Sequence, residues 1–162
     1  GAVPTLGDWI DHLTTVFPEV RLKRFLEMRG ADGGPWRSIC ALPALWTGLL
    51  YDSTALDAAW DLCKDFTAED HDYLRREVPR RALATPFRGR PLAALASEMV
   101  AIARAGLAAR NQLDDTGTNE VHHLNTLTRI LERGTTPAEE KLKLFHGKWN
   151  GSVDPVYSEF AY

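Results

Sequence analysis

Positive charge is not in excess: 19 Lys and Arg stand against 22 Asp and Glu, for a formal net charge of −3. A chain with no basic footprint is not built to hold nucleic acid. Cysteine is scarce. Cys40 and Cys63 are the only two and form no CxxC, so neither a zinc site nor a disulfide scaffold is expected. No apolar run approaches the ~18 residues that cross a membrane; the longest candidate, residues 39–51, is interrupted by Pro43 and Gly48. No basic stretch followed by an apolar one opens the chain, so no secretory signal is expected and the location expected is cytoplasmic. A start at Gly1 without Met is what a processed or excised chain would have. Internal repeats and low-complexity tracts are also lacking.

Hydrophobic residues at 44% and charged residues at 25% of 162 describe a soluble globular domain with enough chain to bury a core. Most of it reads as helix. A short segment from Trp9 to Phe17 follows Gly7-Asp8 and stops at Pro18. Residues 38–50 are almost wholly apolar and should be buried on most faces, with Pro43 kinking the helix or marking its first turn. Residues 53–66 put Leu56, Trp60 (with Ala59) and Cys63 on one stripe. Thr67 opens a helix with a capping-type TAED, closed by Pro79. A loop is expected over 84–90. The longest helix, 91–110, should turn Leu92, Leu95, Met99, Ile102 and Leu107 inward. Helix 119–133 stops at Gly134. In Thr136-Pro137-Ala138-Glu139, Thr caps, Pro takes the first helical position and Glu closes the box of a final helix to about His146. The aromatic tail, with Val156, Tyr157, Phe160 and Tyr162, should lie against the body.

One segment breaks the pattern. Residues 20–29 alternate as a strand does, and Gly30, Gly33, Gly34 and Pro35 force a loop directly after. In an extended chain residues two apart share a face, so Glu27 and Arg29 point together, with Leu26 and Met28 opposite and packed into core. One strand cannot make a sheet. It must pair with residues 2–6 or with strands outside this chain. A carboxylate beside a guanidinium, followed by a Gly-rich turn carrying Asp32, suits a phosphate and its metal: carboxylates hold Mg²⁺, and arginine meets phosphate oxygens as a fork. Glycines let backbone approach a ligand closely. By spacing alone, a structural Glu–Arg pair beside a turn is the commoner source of such a pattern.

The run FLEMRGADGGPW, residues 25–36, within the longer stretch 7–52, resembles the conserved core of glutamate–cysteine ligases of the plant and proteobacterial type. The similarity continues at ATPFRGRPL (84–92), GTTPAEEKL (134–142) and SVDPVYSEFAY (152–162). It implies that residues 1–162 are the C-terminal part of such a catalytic domain, a single unit whose upstream part is absent. The parent fold it implies is α+β, an antiparallel sheet cradle wrapped by helices. This chain would supply a mainly α portion with one or two strands. Family members are roughly three times as long, which agrees with the orphan strand.

The activity implied is ATP-dependent joining of the γ-carboxylate of glutamate to the amine of cysteine, through a γ-glutamyl phosphate, at the first step of glutathione biosynthesis. Partners are the two amino acids and the upstream part of the enzyme, with neither membrane nor nucleic acid. Cofactors are ATP and Mg²⁺. The resemblance gives Glu27 the metal and Arg29 the transferred phosphoryl group, as catalytic and ATP-binding residue; Asp32 and Trp36 line the ATP site. Alone, the chain should not catalyse. The alternative is a non-catalytic helical binding or regulatory module derived from the ligase tail.

Plant members of the family switch through an intramolecular disulfide, and Cys40 occupies the position of one of its cysteines, its partner lying upstream. That leaves Cys40 either a redox handle or a plain core thiol. His122 and His123, being adjacent, should point to different helix faces and not share a metal. Trp46 and Trp60 are expected in the core.

Overall fold

Thr5 and Asp8 cap each other at the start of the first helix: the Thr5 side chain accepts from the Asp8 N–H, and the Asp8 carboxylate accepts the Thr5 N–H at 2.6 Å. The helix they open, α1, spans Leu6–Leu13 and so starts earlier than Gly7-Asp8 implied. It also ends earlier. The hydroxyls of Thr14 and Thr15 donate to the carbonyls of Asp11 and His12 and close it well before Pro18. The computed structural model describes residues 3–161. It divides between Gly33 and Gly34 into two compact units.

In the first unit the ten-residue strand expected over 20–29 folds back on itself. Val20–Leu22 (β1) pairs antiparallel with Leu26–Met28 (β2), in the register Val20↔Met28, Arg21↔Glu27 and Leu22↔Leu26. Residues 23–25 are the turn, closed by the Lys23 N–H donating to the Phe25 carbonyl at 2.9 Å. The orphan strand thus supplies its own partner. Leu26 is not core, as it is 57% exposed, and Met28 is only half-buried. Two three-residue strands make a face too small to bury anything by themselves.

The second unit is helical. In chain order it contains α2 (Trp36–Leu50), α3 (Ser53–Cys63), α4 (Ala68–Arg81), a 3-10 turn at Ala82–Ala84 and the two-residue strands β3 (Pro86–Phe87) and β4 (Arg90–Pro91). Then follow α5 (Leu92–Arg110), a 3-10 turn at Glu120–Leu124, α6 (Asn125–Arg133), α7 (Pro137–His146) and α8 (Val156–Glu159). The chain is therefore mainly α with two small antiparallel sheets, as the sequence led us to expect. Thr67 and Thr136 each close a capping box, with Asp70 and Glu139. Pro43 lies inside α2 and Pro79 inside the last turn of α4, which continues to Arg81.

The core forms where α2 crosses α5, with Ala44, Leu49, Ala103, Leu107 and Leu124 buried and Trp46 packed against them. The two backbones nearly touch. A Cβ on Gly106 would stand 1.9 Å from the Gly48 carbonyl oxygen, and one on Gly48 would stand 2.2 Å from that of Ala103. α3 also comes close, so its inner face is small: Ala55 is buried and its Cβ lies 2.9 Å from where a Cβ on Gly106 would stand. That turns the larger stripe outward. Trp60 is 63% exposed rather than core, with Leu56 and Cys63 also exposed. α5 is, among the described residues, the one helix long and apolar enough to cross a membrane by composition. It packs on α2 and α3 and carries Glu98 and Arg104.

Segment 84–90, expected as a loop, is a hairpin. Its tip is Arg88-Gly89, both left-handed at φ 47° and 81°, as a two-residue hairpin turn requires. Arg88 donates to the Asp70 carboxylate at 2.5 Å and lies over the Phe66 ring, tying the tip to α4. Helix 119–133 begins instead as the 3-10 turn, where His122 and His123 lie ring beside ring at 4.0 Å, not on opposed faces. In the tail, Phe160 meets the buried Trp149 edge to face, but Tyr157 is 80% exposed, against expectation. Tyr162 lies outside the described residues.

Candidate functional site

Residues opposite each other in an antiparallel pair share a face, as do residues two apart on one strand. The register therefore places Arg21, Glu27 and Arg29 on one face of the β1–β2 hairpin and Val20, Leu22, Leu26 and Met28 on the other. Arg21 is the partner that the spacing of Glu27 and Arg29 did not reveal. Its Nε donates to Glu27 Oε2 at 2.7 Å and its Nη2 reaches the same oxygen at 2.7 Å. A sequence signal existed: Arg21 and Glu27 are equidistant from Arg24, the tip of the turn. It is readable only once a hairpin is assumed.

The carboxyl of Glu27 is held below the usual glutamate range, first by the hydrogen bond from Arg21, against some desolvation, then by the charges of Arg21, Arg29 and Lys23. Arg29 lies close enough to act on Glu27, and the two share a face as expected. The Arg29 N–H donates to the Glu19 carbonyl at 2.8 Å, extending the ladder by one residue. Its guanidinium sits over the Phe17 ring, 5.0 Å from the centroid. Nη1 of Arg29 is buried and makes no hydrogen bond among the described residues. Phe17 is the second contributor that spacing missed.

Asp32 lies exposed in the irregular run after β2. Trp36 belongs to the second unit, as the first residue of α2, and is 75% exposed. Of the glycines around Asp32, Gly30 and Gly33 are not demanded by the chain itself, whereas a Cβ on Gly34 would stand 3.0 Å from the Ser38 Cβ. Gly30 and Gly33 have backbones outside the left-handed region, a Cβ on Gly30 would make an ordinary 3.6 Å contact with Glu19, and one on Gly33 would meet nothing within 4 Å.

The donor set fits the groups that the resemblance implies. Mg²⁺ is commonly held by one or two carboxylates together with substrate phosphates. Glu27 offers an ionised carboxylate whose Oε1 lies outside the pair with Arg21. No group of three or more His, Cys, Asp or Glu able to hold a metal occurs among the described residues. An unpartnered guanidinium nitrogen fits an anion. Both cysteines are free thiols, Cys40 half-buried on α2 and Cys63 exposed.

The sequence pattern described as Glutamate-cysteine ligase family 2 (GCS2) matches residues 2–159. The chain belongs to that family. It is similar along its whole length to proteins named "Glutamate--cysteine ligase, chloroplastic": 52% identical over 162 residues to that of Nicotiana tabacum, covering 30% of that protein. To that of Arabidopsis thaliana it is 49% identical over 162 residues, again covering 30%. With "Glutamate--cysteine ligase A, chloroplastic" of Oryza sativa subsp. indica the identity is 51%, over 32% of that protein. The chain thus spans about a third of the length of these relatives. Their names place those proteins in the chloroplast, which overturns the expectation of a cytoplasmic location.

Proposed function

We propose that this chain is the C-terminal portion of a glutamate–cysteine ligase and gives the enzyme its phosphoryl-facing arginine. The observation that carries the reading is Arg29: a buried guanidinium nitrogen with no hydrogen-bond partner among the described residues, on the same hairpin face as an ionised glutamate. Family membership along nearly all of the chain, and the ligase names of the relatives, support it. In the reaction proposed, the γ-carboxylate oxygen of glutamate attacks the γ-phosphorus of ATP and ADP leaves. The cysteine amine then attacks the acyl carbon, and phosphate leaves with the C–O bond pair while the amine gives up a proton. Negative charge on the equatorial oxygens of the moving phosphoryl group is the main thing to be stabilised, and a fixed cationic fork does this without a strong base. Arg29 fills that role. Glu27 would hold the Mg²⁺, which would supply charge neutralisation at the phosphates, and Arg21 orients the Glu27 carboxylate.

The test is turnover of the full-length polypeptide that carries this chain, with glutamate, cysteine, ATP and Mg²⁺. We expect γ-glutamylcysteine and phosphate in equal amounts. Arg29→Ala should lower turnover by an amount equivalent to about 2–4 kcal/mol of transition-state stabilisation. Arg29→Lys should restore only part, because an ammonium lacks the planar fork. Near-normal turnover in Arg29→Ala removes the residue from the mechanism.

A further inference from the structure

We infer that Phe17 is the positioning residue of Arg29, an aromatic plate that fixes the guanidinium without using up its hydrogen-bond donors. The inference rests on the reading of Arg29 as a phosphate-facing group. An arginine side chain has several rotatable bonds, and the ladder bond from its N–H to the Glu19 carbonyl fixes only its backbone end. The far end must be held by something else. A carboxylate would hold it by occupying the N–H fork, and the fork would then be lost to a ligand. The face of a ring attracts the cation through its quadrupole and takes up none of the N–H donors. The guanidinium carbon is 5.0 Å from the Phe17 centroid, and Nη1, although buried, has no hydrogen-bond partner among the described residues.

Two further facts point the same way. Phe17 is 71% exposed, so its ring is not a core residue and burial does not account for its place. Pro18 follows it, and a residue before proline is restricted to extended backbone, which fixes the direction from which the ring is presented. The ligand class is a phosphoryl-bearing oxyanion, taken in the bidentate manner that a free guanidinium edge allows.

The test uses the 162-residue chain and follows the Nε–Hε signal of Arg29 by NMR, with inorganic triphosphate as the probe. In the wild-type chain this signal should be displaced by the ring current of Phe17 and should shift again as triphosphate is added. Phe17→Leu, which keeps an apolar side chain and removes the π-face, should abolish the ring-current displacement and weaken triphosphate binding about fivefold. Phe17→Trp should keep both within twofold of wild type, a rescue that a purely space-filling role would not give. Triphosphate affinity unchanged in Phe17→Leu but lost in Arg29→Ala overturns the positioning role and leaves Arg29 standing. Triphosphate that fails to shift Arg29, or binds equally well to Arg29→Ala, overturns the reading of Arg29 itself, and this inference falls with it.

Discussion

Glu27 stays ionised to lower pH than an ordinary glutamate because the hairpin register sets Arg21 directly across from it, and this has a consequence with pH. A carboxyl whose folded pKa lies below its unfolded value contributes stability that is fully present above the unfolded pKa. That contribution is lost as pH falls through the folded one. The hairpin should therefore loosen only on acidification past the ordinary glutamate range, not near neutrality. Arg21→Ala removes the largest of the causes that hold the group down, while Arg29 and Lys23 remain. The Glu27 side-chain carboxyl, followed by ¹³C NMR, should titrate at higher pH in Arg21→Ala than in wild type. An unmoved midpoint would show that Arg21 is not what holds it. Gly33 makes a second case at this scale, because its packing and backbone both accept a Cβ. Gly33→Ala should leave thermal stability unchanged or raise it by about 0.4–1 kcal/mol. If the glycine exists so that backbone can approach a phosphate, the same change should lower turnover of the full-length polypeptide at least tenfold. Unchanged turnover would make Gly33 an ordinary loop residue.

Among the elements, the α2–α5 crossing decides most of the helical packing. Gly48 and Gly106 each lie against backbone of the facing helix, so an added methyl has no flexible side chain to push aside. The helices must separate, and the contacts around Ala103 and Leu107 go with them. Gly106→Ala and Gly48→Ala should each cost about 3 kcal/mol, at the upper end of overpacking. The double substitution should cost less than the sum, because the first already parts the helices. Urea unfolding followed by helical circular dichroism measures this; a loss below about 0.5 kcal/mol for Gly106→Ala, the range of neutral surface changes, would mean that the backbones do not meet this closely.

The same scale explains what could be read beforehand. Helices with local start signals were legible: α7 from Thr136-Pro137-Ala138-Glu139 and α4 from Thr67 through Asp70 run close to where their caps put them. The turn at 23–25 was not, because Lys-Arg-Phe carries none of the residues that mark a hairpin. Glu27 and Arg29 therefore came out on one face as expected, while Arg21 and Phe17, which touch them only through the fold, were missed. Nor could periodicity show which stripe of α3 faces inward. Leu56, Trp60 and Cys63 are the more apolar choice, and the close approach of Gly106 selects Ala55 instead.

At the scale of the molecule the two units differ in how much holds them. The buried cluster of Ala44, Leu49, Ala103, Leu107 and Leu124 lies wholly after the division at Gly33 and Gly34. None of the described residues before it is buried. The hairpin that carries Glu27 has, among the described residues, three ladder pairs, the bond from the Arg29 N–H to the Glu19 carbonyl, the Arg21–Glu27 ion pair and the Arg29–Phe17 contact. Local opening free energy follows buried apolar contact, so the hairpin should open at lower cost than the α2–α5 core. Amide hydrogen exchange on the 162-residue chain should show its slowest amides in α5 around Ala103 and Leu107 and in α2 around Ala44. Amides of residues 20–28 should exchange on the order of 100-fold faster or more. Gly106→Ala should speed exchange in α2 and α5. If the hairpin instead exchanges as slowly as α5, burial within each unit is not what sets these rates. In the expected case the ion pair and the arginine sit on the less buried part of the chain, where a ring beside the guanidinium and a salt bridge across the strands bear directly on their geometry.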